Sequence, residues 1–583
     1  METGTLPLKD KFKTAIVELL ARQLGVSAGE IVPKIEMPAD DALGDYAFPC
    51  FFIAKIMKKS PAAIASELAP KLRQAVAGVL IEDIKAAGPY VNFFINKAEL
   101  ARAIITAVAV AKGSYGSHAK IDKTVMVEYF HANTHKAVHL GHVRNICLGE
   151  SLCRILEFGG MKVIRVNYQG DIGPHVAKCL WGILNLKGFG TPPATNRLRW
   201  LGNVYVETNT LVEGDEKLEA EVKQLLLRIY EGNNSVYKLW RVTRQWCLDE
   251  FEEMYSDFGV KYAEFYFESD VEFEARKISR QLVKDGIAQE SEGAIIVDLK
   301  PHKLGVFVLV TNDGTALYSS KDIALAREKL SKYRLDWSIH VVGREQELHF
   351  KQLFKTLELM GGKEKDFAAK SFHLIYGLVM LPSGKMSSRA GTVVFYDDLR
   401  NELVALATEE VRKRHSGWKE PEVAAAARKI AFAALKFGMI NRDNEKELVF
   451  DWEQAMKLEG ETGPYVQYAY ARICSIFRKH GKQLLQPDKA DYAALSTTAE
   501  IKVIKLVKAF PTVVSSAAAQ LKPALVSRYL LDLAQAFNNF YNDHPILNAE
   551  PQQRDARLLL CAAVRQVLEN GLHLLAIDPL EEM

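Results

Sequence analysis

The chain has 583 residues, 48% hydrophobic and 25% charged, with a formal net charge of +3. That length exceeds a single hydrophobic core and predicts about two to four domains, while the near-balanced charge neither demands nor excludes a nucleic-acid partner. No apolar run approaches the ~20 residues of a membrane span, and the cysteines at 50, 147, 153, 179, 247, 474 and 561 form no CxxC pair, which excludes a zinc ribbon or disulfide scaffold and predicts a reducing compartment.

The opening stretch METGTLPLKDKFKTAIVELLARQLG carries apolar residues at helical spacing interrupted by charges, so it reads as a helix and not a signal peptide. A cytoplasmic protein is expected. Residues 1–118 mix helices with a short strand, Tyr90 to Ile95, and the small polar run Lys112 to Ser117 marks a domain boundary. From 119 to about 400 strands alternate with helices. Thr124 to Phe130 is a β-type run, a helix follows and stops at Gly159-Gly160, and Val163 to Tyr168 is a second strand. This βαβ unit implies parallel strands and a right-handed crossover. The pattern returns with a strand at Ser338 to Gly343, a helix from Gln346 to Met360 and a strand at Ser371 to Tyr376. A doubly wound α/β sheet of Rossmann type follows, with its site at the carboxyl ends of the strands. Residues near 190–260 read as a polar helical insertion. From 401 to 583 the pattern is helical throughout (421–441, 464–481, 497–520, 523–542 and 551–575), with Pro523 suited to a first turn and no strand expected.

Two segments carry chemistry. Glu128 to His142 runs from a strand end into a helix, and His139-Leu140-Gly141-His142 sets two imidazoles beside a glycine at the helix start. Free backbone N–H groups and the positive dipole end suit phosphate there, the glycine admits a flat base, and the imidazoles can donate to phosphoryl oxygens. The second segment, Leu381 to Gly391, follows a sheet strand. Its glycines make a loop that can bring Lys385 and Arg389 onto a pyrophosphate. Four histidines at 131, 135, 139 and 142 contain no HExxH pattern, so no metal site is expected.

Together the two segments resemble the HIGH and KMSKS signatures of class I aminoacyl-tRNA synthetases. The wider context, Val341 to His349, Tyr318 to Arg327 and Leu458 to Tyr468, is similar to the arginyl-tRNA synthetases in particular and extends over essentially the whole chain. The resemblance implies ATP with Mg²⁺, L-arginine and tRNA(Arg) as partners, attack by the terminal 2′-OH of the tRNA, and activation that waits for bound tRNA. It implies nucleotide contacts from His139, Gly141, His142, Lys385, Met386 and Ser387, and arginine contacts from Glu128, Asn133, Tyr318, Asp322 and Gln346. Asp322 follows Tyr318 by one helical turn, so both can face one pocket. Where KMSKS has its second lysine this chain has Ser388, and Lys136 fits the upstream lysine that compensates in the family. How Lys136, Lys385 and Arg389 divide that work stays open.

The resemblance further implies an added α+β N-terminal domain that contacts the outer corner of tRNA, through Gly44 to Pro49 and Gly88 to Phe93, and an all-α anticodon-binding domain at the C-terminus. Tyr465, Tyr468 and Arg472 are candidate RNA contacts, because unpaired bases stack on aromatic rings. A monomer is expected. Two alternatives compete: another class I synthetase or HxGH nucleotidyltransferase, disfavoured by the long helical C-terminus and by Asp322, and a non-catalytic tRNA-binding derivative, disfavoured by the intact HLGH and Lys385-Met386-Ser387-Ser388.

Overall fold

The computed structural model describes residues 10–38, 40–76, 79–382 and 395–583. Near the N-terminus, Asp10 caps the Lys11–Leu24 helix by accepting from the Phe12 and Lys13 N–H groups. Three antiparallel strands follow, β1 (Tyr46–Pro49), β2 (Ile81–Ala87) and β3 (Tyr90–Ile95), in the order β1-β3-β2. Sequence patterning predicts only β3. β1 spans four residues, and β2 buries just Ile81 and Ile84 between charged neighbours, so neither shows clean alternation. The Pro61–Ala75 helix covers β2 and β3, and the Lys97–Ala111 helix crosses to the C-terminal helices.

The central sheet takes β4 (Thr124–Glu128), β5 (Lys162–Gln169) and β6 (Glu264–Phe267) in turn. A separate antiparallel sheet of β7 (Gln289–Ser291), β8 (Ala294–Asp298) and β9 (Val306–Val310) interrupts before β10 (Trp337–Gly343) and β11 (Ser371–Tyr376) complete the first. The five central strands run parallel in the order β11-β10-β4-β5-β6. The chain winds outward from β4 through β5 and β6, then returns to the other side of β4 with β10. This reversal is the switch point where open α/β sheets bind ligands.

Alternation along the strands sets what each layer sees. Val125, Val127, Ile339 and Val341 face the Leu140–Phe158 helix and the C-terminal helices. Met126 and Val166 face the helices Glu268–Lys284, Tyr318–Lys332 and Glu347–Met360, and the same face carries Glu128, Tyr168 and His340. Between β5 and β6 the helices Arg197–Val212, Glu216–Glu231 and Ser235–Phe258 stand beside the sheet, and the last two share a small core with Val176, Leu180 and Trp181.

Beyond β11 the chain is helical (Tyr396–Arg414, Glu420–Ile440, Gly463–His480, Thr498–Gln520, Ala524–Asp543, Pro551–Leu574), with one correction. A two-residue strand, β13 (Leu448–Val449), pairs in parallel with β12 (Val379–Met380). Two residues carry no periodicity, so only the tertiary pairing defines it. Pro523 stands at the N-cap, one position before its helix. Among the described residues no helix is long and apolar enough to cross a membrane.

Candidate active site

β4 ends at Glu128, two residues short of the expected Phe130, because the backbone turns sharply. Phe130 has φ 85°, His131 φ 52° and His135 φ 59°, a region bulky residues seldom occupy. Tertiary contacts hold the turn. The Phe130 N–H donates to Asn145 Oδ1 at 2.5 Å, and the Phe130 ring packs edge-on against Phe251 and Tyr255. The His135 ring lies 2.8 Å from the Thr243 hydroxyl.

The turn delivers His139 to the N-cap of the Leu140–Phe158 helix. His139 Nδ1 accepts from the Gly141 N–H at 3.1 Å, and His142 Nδ1 accepts from the His139 N–H at 3.2 Å. With both Nδ1 atoms accepting, the neutral rings carry their protons on Nε2. Burial, with Lys136 close by, lowers His139 to about 4. Burial, then His139 beside it, lowers His142 well below the ordinary imidazole range. A Cβ on Gly141 would approach His139 Cε1 to 2.9 Å, so the glycine makes room for the ring. The outcome is two uncharged N–H donors beside the free amides of a helix start. Lys136 sits 5.2 Å from the centre of the Tyr205 ring.

Lys385, Met386, Ser387 and Arg389 lie outside the described residues, but the chain on either side of that loop is fixed on the same helix start. Phe395 bridges to His139, and the Tyr396 N–H donates to the Val138 carbonyl at 3.0 Å. On the other side Arg144, fully buried, donates to the Gly377 carbonyl at 2.7 Å. It also donates to the carbonyls of Lys446 at 2.9 Å and Asn444 at 3.1 Å.

Next to β4, β5 and β10 lies a cavity of about 160 Å³. Glu128, Tyr318, Asp322 and Gln346 all line it. Glu128 and Asp322 are its two carboxylates, and they differ. Glu128 faces its register partner His340, whose Nδ1 lies 3.0 Å away, and it also receives the buried Lys329 ammonium. Burial alone would raise the Glu128 carboxyl, but Lys329 and then His340 hold it below its ordinary range. Asp322 meets His349 Nε2 at 2.6 Å and, among the described residues, no lysine or arginine. Tyr318 is half exposed at the mouth, its ring 4.7 Å from that of His349. Asn133 is not in the lining. Its Oδ1 occupies the place of a Gly170 side chain, 2.2 Å from where a Cβ would stand and beside Glu268.

In the C-terminal helices, Arg472 lies between the rings of Tyr468 and Tyr541, at 4.7 and 4.8 Å, beside a cleft that Tyr465 does not line. The sequence reading missed Lys329, His340 and His349. Lys329 was within reach: 318, 322, 325 and 329 follow one helical face, and all four line the cavity.

A parallel sheet with a histidine-bearing helix start at its switch point is the frame of a class I aminoacyl-tRNA synthetase. Residues 104–452 match the family model of the tRNA synthetases class I (R) catalytic domain. Residues 7–95 match the arginyl tRNA synthetase N-terminal domain, and residues 466–583 the DALR anticodon binding domain. The chain is 36% identical over 567 residues to the arginine–tRNA ligase of Bdellovibrio bacteriovorus, covering 96% of this chain and 95% of that one. It is 35% identical to that of Clostridium perfringens, covering 98% and 100%. The Thermus thermophilus arginyl-tRNA synthetase structure superposes with a TM-score of 0.76 at 26% identity, covering 99% of this chain and all of that one. The chain belongs to the arginyl-tRNA synthetase family.

Proposed function

We propose that this chain activates L-arginine with ATP and transfers it to tRNA(Arg). The arginine carboxylate attacks the α-phosphorus and pyrophosphate leaves. The 2′-OH of the terminal adenosine then attacks the mixed anhydride, AMP leaves, and an ester remains. Neither step needs a protein nucleophile, so the protein acts by positioning and by stabilising developing charge.

His139 and His142 donate from Nε2 to phosphoryl oxygens, Gly141 lets the adenine lie against the backbone, and Lys136 with Lys385 and Arg389 supplies positive charge for the leaving pyrophosphate. Met386 and Ser387 flank that lysine against the nucleotide. ATP enters as its magnesium complex. Mg²⁺ in such sites is held largely by substrate phosphates. Asp322 and Tyr318 receive the guanidinium, while Glu128, Asn133 and Gln346 serve the α-amino end. Residues 1–118 and 401–583 form the tRNA-binding parts around a catalytic 119–400, with Tyr468 and Arg472 offering a stacking platform and Tyr465 at its edge. The enzyme works as a cytoplasmic monomer, and bound tRNA precedes activation.

The observation that carries this reading is the carboxylate of Asp322, which faces the cavity with the His349 ring at 2.6 Å and, among the described residues, no lysine or arginine partner. A guanidinium supplies the missing donors in a planar fork that lysine's ammonium lacks. In arginine-dependent ATP–pyrophosphate exchange with tRNA present, Asp322→Asn raises the arginine KM about ten- to a hundredfold, as expected for losing a hydrogen bond to a charged group. An unchanged KM and kcat would remove Asp322 from the pocket.

A further inference from the structure

Tyr168 stands at the carboxyl end of β5, on the face that carries Glu128 on neighbouring β4, and its ring lines the cavity. Its hydroxyl is buried and has no hydrogen-bond partner among the described residues. Four buried tyrosines of this chain give the contrast. Tyr129 donates to Glu150, Tyr255 accepts from Asn167 and Gln169, Tyr396 donates to Asp257, and Tyr529 donates to the Leu506 carbonyl. A buried polar oxygen without a partner is costly, and one that borders a substrate cavity marks a place where the substrate supplies the partner.

The surroundings define that substrate group. Burial, then the nearby carboxylates of Glu268, Asp322 and Glu128, push the phenol well above its ordinary range, so it stays protonated and offers oxygen lone pairs as well as a proton. Two of those carboxylates already hold ammonium groups, Glu128 that of Lys329 and Glu268 that of Lys321 at 2.9 Å. What the cavity lacks is a donor-rich cation between Asp322 and the phenol. A guanidinium has five N–H donors and no acceptor, so it can satisfy the carboxylate with one edge and the phenol oxygen with another N–H. A lysine ammonium carries its three N–H donors on one nitrogen and lacks the planar fork that presents separate edges.

Building on the proposed arginine pocket, we propose that Tyr168 is a further specificity-determining residue, its phenol oxygen accepting a hydrogen bond from the guanidinium of bound arginine.

The test is Tyr168→Phe, which deletes one oxygen and keeps the ring. The measurement is pyrophosphate exchange with the full chain and tRNA, titrating arginine, ATP and lysine separately, with Asp322→Asn in parallel and thermal unfolding of each variant. The expected result is an arginine KM raised about ten- to a hundredfold, an ATP KM within about twofold, and a preference for arginine over lysine narrowed by a similar factor. An arginine KM within about twofold of wild type overturns the assignment. So does a loss shared equally by ATP, which marks a structural role. If Tyr168→Phe lowers the unfolding temperature too far to assay, calorimetric titration of arginine at low temperature gives the same decision from Kd. Should Asp322→Asn also leave arginine unaffected, the pocket reading itself fails. If only Asp322→Asn has an effect, the pocket stands and the Tyr168 assignment falls.

Discussion

At the proposed amino-acid end of the site, charges are paired before any substrate arrives: Glu128 with Lys329 and His340, and Glu268 with Lys321, while Asp322 has the His349 ring and, among the described residues, no lysine or arginine. At the proposed nucleotide end the two imidazoles are uncharged. His139 and His142 are half-buried, share backbone hydrogen bonds and stay neutral, and Lys136 stands close by. Under the proposed assignment the difference follows the two ligands. Selecting a cation of fixed shape calls for one open carboxylate in a rigid, otherwise neutralised frame. A triphosphate gains and sheds charge during the reaction, and uncharged donors can follow it without binding the ground state too tightly.

The largest effect that would break this contrast concerns the paired frame. Lys329→Met leaves Glu128 as a buried, under-compensated carboxylate and is expected to cost about 3–5 kcal/mol of stability. Urea titration measures it, and adding Glu128→Gln should restore most of the loss. A double variant as unstable as the single would mean that the pair is not the source. Next comes the neutral end. His142→Ala should lower the kcat of pyrophosphate exchange about 100- to 1000-fold, while the arginine KM changes by less than about twofold. An arginine KM that rose in step would merge the two ends into one. The smallest effect is a pH dependence. His139 falls from the ordinary ~6.5 to about 4 in the fold, so its contribution to stability is complete above ~6.5 and is lost as pH drops toward 4. Between pH 7.5 and 5.5 the wild type should lose about 1 kcal/mol more than His139→Asn, which keeps a capping side chain but cannot titrate. Equal slopes in urea titrations would refute a neutral His139.

Four strands of the central sheet, β4, β5, β10 and β11, were legible because their apolar runs sit beside helices with clear stops at Gly159-Gly160 and Gly361-Gly362, whereas the four-residue β6 (Glu264–Phe267) was not read. The histidine turn was legible because its residues are adjacent in sequence. The Glu128 ion pairs were not: Lys329 lies 201 residues away and His340 212. Only the register of β10 against β4 brings them to one point, and nothing local encodes that register. The three-stranded sheet β7–β9 was not read, although Gln289 to Val310 has strand-type patterning around the turn at Gly293. Asn133 packs its Oδ1 against Gly170, where the missing side chain and not any sequence spacing decides its place.

Arg144 has a consequence for taking the molecule apart. It belongs to the first helix of the catalytic sheet, yet carbonyls that receive its N–H groups come from Asp443, Asn444 and Lys446, past the last central strand. A fragment ending before residue 443 would leave the buried Arg144 guanidinium with only the Gly377 and Leu378 carbonyls of those it now donates to, two residues from His142. The catalytic half is therefore not a detachable module, and shortening the chain from its C-terminal end should abolish chemistry well before the cut reaches the sheet.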